Sequence, residues 1–63
     1  MIEIKFYYKK LDGKWYQSYK QFNNPKKAVG FLYKCKSSPR LIYDGDIACD
    51  DPMDYEYIQR RFK

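Results

Sequence analysis

The stretch Ile2-Glu3-Ile4-Lys5-Phe6-Tyr7-Tyr8, followed by Asp12-Gly13 and then Lys14-Trp15-Tyr16-Gln17-Ser18-Tyr19, decides the fold. Ile2, Ile4, Phe6 and Tyr8 share one parity, the period of two that marks a half-buried strand. Asp-Gly suits positive φ at both central turn positions, so the chain reads as a tight hairpin returning over Lys14–Phe22. A two-residue turn would set Phe6 against Tyr19 and Lys10 against Trp15. Ile4, Phe6, Tyr8, Trp15 and Tyr19 would then share the core face. A three-residue loop with a bulge would shift the register by one and turn Trp15 outward. The first register gathers the most apolar residues and is the one expected.

Beyond the hairpin, Asn23-Asn24-Pro25 starts a helix, because Asn caps well and Pro tolerates the first helical position. Ala28, Phe31, Leu32 and Cys35 form its apolar stripe and Val29 widens it. Gly30 weakens that helix and would allow close approach to the sheet. Ser37-Ser38-Pro39 ends it. Arg40–Tyr43 reads as a strand, with Asp44-Gly45 either turning into a second hairpin strand over Asp46–Cys49 or lying within one irregular strand. Asp51 caps a final helix opened by Pro52, with Asp54 leading it and Arg60, Arg61 and Lys63 closing it, in accord with the helix dipole. Tyr55, Ile58 and Phe62 would face the sheet. The expected fold is a single small α+β domain over residues 1–63, an antiparallel sheet with two helices in the order ββαβ(β)α.

Composition narrows the chemistry. The chain has no histidine, which removes the commonest general base and metal ligand. Cys35 and Cys49 are too few to close a zinc site and read as small buried hydrophobes of a reducing compartment. The acidic residues lack the alternating ligand spacing of an EF-hand, so no metal or other cofactor is expected. Apolar runs fall far short of a bilayer span, which points to a cytoplasmic protein with no membrane partner. Nothing in the sequence signals catalysis, and the expected activity is binding rather than turnover.

Charge is sorted by position. Residues 1–40 carry ten Lys/Arg against Glu3 and Asp12, whereas residues 41–63 carry six carboxylates against three cations. Such asymmetry speaks to partners rather than to fold. Two surfaces follow. In the expected register, Lys5, Tyr7, Lys9, Lys14, Tyr16 and Lys20 line the outer face of the hairpin, where rings stack bases and lysines track phosphates. Lys26, Lys27, Lys34 and Lys36 on the first helix would extend that field. The second surface is acidic: Asp44, Asp46, Asp50, Asp54 and Glu56, with Asp51 reserved as a cap. Local structure accounts for about half of the six carboxylates in this segment, since Asp44 suits a turn, Asp50 and Asp51 suit caps and Asp54 suits a helix start.

The segment Asp50-Asp51-Pro52-Met53-Asp54-Tyr55, placed after Ile42-Tyr43-Asp44-Gly45, resembles the short Lys- and Tyr-rich products of phages and mobile elements of low-GC Gram-positive bacteria. Among these the chain is similar in size and style to type II anti-CRISPR proteins, which inhibit Cas9. Many of those inhibitors are acidic, whereas this chain has a net charge of +5. The resemblance implies a non-enzymatic inhibitor of a defence nuclease or its ribonucleoprotein, with the acidic segment meeting Arg or Lys of a DNA channel. The alternative read from the residues is a small basic module contacting RNA or DNA through the Lys/Tyr face. A homodimer formed through a sheet edge is a third reading, and the protein is expected as monomer or homodimer.

Overall fold

Alternation at the start of the chain produces β1 (Ile2–Lys9), with β2 (Trp15–Phe22) hydrogen-bonded antiparallel to it. There follow α1 (Pro25–Ser37), β3 (Leu41–Cys49) and α2 (Pro52–Arg61) in a computed structural model that describes residues 1–62. Lys63, counted above among the cations closing the last helix, lies outside the described residues. The sheet is antiparallel with strand order β2-β1-β3, so β1 is central and both other strands are edges. This is the small α+β domain expected. Asp44-Gly45 makes no second hairpin. It lies in a bulge where β3 slips against β1 between Ile4 and Phe6, with Gly45 at φ +86°.

Both helices start where their caps dictate. Asn24 Oδ1 accepts the Lys26 N–H and Asp51 Oδ1 accepts the Met53 N–H, each ahead of a proline in the first turn. The apolar stripe Ala28, Val29, Leu32 and Cys35 is buried, and Ile58 of α2 joins it against Ile2 and Ile4 of the sheet. Phe22, Phe31, Tyr43, Ile47, Cys49, Tyr57 and Phe62 close the margins of this core. Tyr55, expected to face the sheet, is instead exposed, and Tyr57 takes its place. Every core contact from the sheet comes from one face of it. Both helices therefore cover a single side, and the other side is open.

The hairpin register differs from expectation. Ile2 pairs with Phe22, Phe6 with Ser18 and Lys9 with Trp15, one residue away from the two-residue turn. The loop is Leu11-Asp12-Gly13. The Gly13 N–H donates to the Lys10 carbonyl at 3.0 Å and the Lys10 N–H donates to the Lys14 carbonyl at 3.1 Å. Gly13 is left-handed at φ +80°, and Asp12 Oδ1 accepts the Lys14 N–H at 2.8 Å. A glycine with positive φ after a type I turn is the signature of a three-residue loop with a bulge. Trp15 and Tyr19 accordingly leave the core and stand on the open face, 41% and 61% exposed.

Two glycines give opposite expected results. Gly13→Ala forces a side chain into left-handed backbone and is expected to cost about 1 kcal/mol or more. Gly30 makes no close approach to the sheet, since a Cβ there meets nothing within 4 Å. Gly30→Ala is therefore expected to stabilise by about 1 kcal/mol. Urea unfolding of the two variants checks both signs.

Candidate nucleic-acid interface

In this register, the face of the sheet away from the helices is set by odd-numbered residues of the hairpin. β1 contributes Glu3, Lys5, Tyr7 and Lys9, and β2 contributes Trp15, Gln17, Tyr19 and Gln21. Tyr7 sits directly opposite Gln17 and so lies diagonally between Trp15 and Tyr19. Diagonal neighbours on a sheet are about 7–8 Å apart, within reach of long aromatic side chains. None of these three rings makes a ring–ring contact with another among the described residues. On the far side β3 adds exposed Ile42 opposite Tyr7.

Charge on this face is divided. Asp46 Oδ2 lies 3.4 Å from Lys5 Nζ, and Asp44 Oδ2 accepts from Gln17 Nε2 at 3.4 Å. The Lys5–Asp46 pair is about half exposed on both sides. An ion pair that open is worth about 0–1 kcal/mol and leaves both groups available. The β2 half of the face carries no charge at all, only rings and amides.

Cations gather instead at the end of the molecule where the hairpin turns. Lys9 donates its N–H to the Arg40 carbonyl at 2.9 Å, and Lys10 and Lys14 flank the turn beside them. α1 also ends here, bringing Lys34 and Lys36 in its last turn. The Lys10 ammonium sits over the Tyr16 ring, 4.4 Å from its centroid. Tyr16 donates its hydroxyl to Asp12 Oδ2 at 2.8 Å. That bond raises the phenol above its ordinary value, with burial and nearby Tyr8 adding to it.

The hairpin surface expected from the sequence is thus split. Lys5, Tyr7 and Lys9 stand on the open face. Tyr16 and Lys20 do not: Tyr16 packs on Tyr8, and the Lys20 ammonium lies over Phe31 on the helix side. Lys14 belongs to the turn. The residues that replace them are Trp15, Gln17, Tyr19 and Gln21, displaced by the one-residue slip at Gly13. The three-residue loop was the only sequence signal that pointed to them.

The acidic set divides as well. Asp50 Oδ2 takes the N-terminal ammonium at 3.1 Å, and Glu56 pairs with Arg60 one turn along α2. Asp54 stands in the first turn of α2, and Asp51 is spent on the cap. Asp44 and Asp46 sit apart from these on the open face. No three Cys, Asp or Glu side chains converge to hold an ion among the described residues. Cys35 and Cys49 are free thiols, and burial raises both above the ordinary thiol range. No helix among the described residues is long and apolar enough to cross a membrane.

Comparison with protein-family models, with curated proteins and with solved structures gave no match.

Proposed function

We propose that the protein is a non-enzymatic binding module that takes single-stranded nucleic acid on its open sheet face. The observation that carries this reading is the placement of Tyr7, Trp15 and Tyr19 together on a face no helix covers, beside the cationic end formed by Lys9, Lys10, Lys14 and Arg40. Bases stack on exposed rings with little regard for sequence, and lysines at the end of the platform neutralise the backbone. Gln17 and Gln21 add amides that donate to and accept from base edges. A duplex would gain little here, since its bases are already stacked.

Reversing Lys9, Lys10 and Lys14 to Glu tests the electrostatic half. Binding is expected to weaken equally for all sequences, and the salt slope to shrink by about one unit per lost phosphate contact. Unchanged affinity and salt slope in a folded variant would contradict the role given to this end.

A second reading is supported by a different feature. Met53 is 75% exposed and Tyr55 45% exposed at the start of α2, on the same stretch of chain as Asp50, Asp54 and Glu56. Met and aromatic residues are enriched at protein interfaces, and the surrounding carboxylates suit a partner rich in Arg or Lys. An inhibitor of a nucleic-acid-processing defence nuclease of the Cas9 kind would use this surface. For that reading, reversing Asp50, Asp54 and Glu56 to Lys is expected to restore target-DNA cleavage while circular dichroism stays unchanged. Full inhibition by the folded variant removes it.

A further inference from the structure

The two edges of the sheet are unequally protected. β3 is interrupted by the bulge at Asp44-Gly45-Asp46 and carries two carboxylates there, both of which discourage pairing. β2 has none of these devices. It runs eight regular residues, Trp15–Phe22, with no proline, no bulge and one charge, Lys20. Its outer edge has no strand beside it among the described residues.

Which backbone groups face that edge follows from the hairpin. Lys10 and Lys14 form a hydrogen-bonded pair, so alternation along the antiparallel ladder turns the even-numbered residues of β2 toward β1. The N–H and C=O groups of Trp15, Gln17, Tyr19 and Gln21 therefore point outward, unpaired among the described residues. A strand added antiparallel with the helices kept on one side must pair odd residues with odd residues.

β2 is complementary to its own reverse under that rule. The outward series alternates aromatic, Gln, aromatic, Gln: Trp15, Gln17, Tyr19, Gln21. Read against a reversed copy centred on Ser18, Trp15 meets Gln21 of the partner subunit and Tyr19 meets Gln17 of the partner subunit. Each ring lies beside an amide, twice over. On the helix side Ser18 meets its own copy, and Lys20 meets Tyr16 of the partner subunit. The neighbouring registers are poorer. Centring on Gln17 sets Lys20 against Lys14 of the partner subunit, and centring on Lys20 sets it against itself. Like charges directly opposed disfavour both. Centring on Tyr19 sets Tyr19 against itself and Gln17 against Gln21 of the partner subunit, and leaves Trp15 only Asn23 of the partner subunit, beyond the end of β2.

We propose that the protein forms a two-fold dimer in which β2 pairs antiparallel with β2 of a second copy about Ser18, giving one six-stranded sheet. The proposal does not depend on nucleic-acid binding. Its consequence for that reading is that the two open faces become continuous, with Trp15 and Tyr19 of both copies at the centre.

Sedimentation velocity from micromolar to millimolar protein is expected to show a species of about twice the 7.7 kDa chain mass. Gln17→Pro removes an edge-facing N–H that makes no bond among the described residues, a position where proline is tolerated. That variant is expected to stay folded by circular dichroism and to sediment as a monomer. Ser18→Cys supplies the second arm. A non-hydrogen-bonded pair on the two-fold brings its Cα atoms to about 4.5 Å, within the range for a disulfide. Mild oxidation is expected to link two copies through residue 18, located by mass spectrometry, while a Ser37→Cys control stays unlinked. A monomer throughout the concentration range overturns the proposal, and so does a dimer that survives Gln17→Pro. Should Gln17→Pro unfold, the Ser18→Cys link alone decides: its formation supports the edge pairing, and its absence refutes it.

Discussion

Removing both exposed rings of β2, in a Trp15→Ala/Tyr19→Ala variant, is expected to abolish measurable binding of single-stranded nucleic acid. Base–ring stacking is worth about 1–3 kcal/mol per base, so two lost platforms weaken binding by roughly two to four orders of magnitude. Stability is expected to change little, because both side chains are substantially solvent-exposed and neither belongs to the core. That separation makes the variant informative: binding and folding respond to different residues. Tyr55→Ala is the matched control. It removes an exposed ring on α2, away from the open sheet face and from the hairpin turn, and it is expected to leave stacking intact. Titration with an oligonucleotide at low salt, followed by fluorescence anisotropy of a labelled strand, reads all three proteins. Equal affinity of the double variant and the wild type would refute the platform.

The second large effect concerns the fold itself. Leu32→Ala is expected to leave the protein mostly unfolded at room temperature. Leu32 is fully buried, and it packs in one cluster with Ile2, Ile4, Ala28, Val29 and Ile58. Truncating a buried Leu costs about 2–5 kcal/mol, and a small domain has little more than that in total. Ile58→Ala, at the one buried position of α2, is expected to detach that helix from the sheet. Circular dichroism and thermal unfolding measure both. A cooperative transition close to that of the wild type would mean that the core lies elsewhere.

The helices were legible from the sequence because their punctuation is local. Asn24-Pro25 and Asp51-Pro52 each pair a capping side chain with a proline that can only sit in a first turn, and both helices begin there. The alternation in β1 was legible for the same reason, since a period of two needs no knowledge of the partner strand. The face of β2 was not. Asp12-Gly13 is compatible with two loop lengths, and the choice between them inverts every side chain of the returning strand. Apolar content favoured burying Trp15 and Tyr19. The structure instead spends Gly13 on a left-handed bulge and the Asp12 carboxylate on both the Lys14 N–H and the Tyr16 hydroxyl. Those polar bonds tie down the longer loop, and the rings are left outside.

The acidic segment was legible as charge but not as a surface. Six carboxylates in thirteen residues look continuous in the chain. In the fold, β3 carries Asp44 and Asp46 to the open face, while Asp50 and Asp51 turn to the N-terminal ammonium and the α2 cap. Tyr55 departs from the expected stripe for a related reason. The spacing of Tyr55, Ile58 and Phe62 fits one helical stripe, yet α2 is short and amphipathic only around Ile58. Tyr57 reaches the core margin, with Arg61 over its ring, and Tyr55 is left at the surface.

Trp15 is the only tryptophan in the chain, and it stands on the proposed binding face. Its fluorescence therefore reports on that face alone. Adding single-stranded DNA or RNA at low salt is expected to quench Trp15 saturably, as bases stack on the indole. The apparent affinity is expected to fall steeply as salt rises and counterions compete for the phosphates. No quenching and no bound strand at low salt would contradict the account.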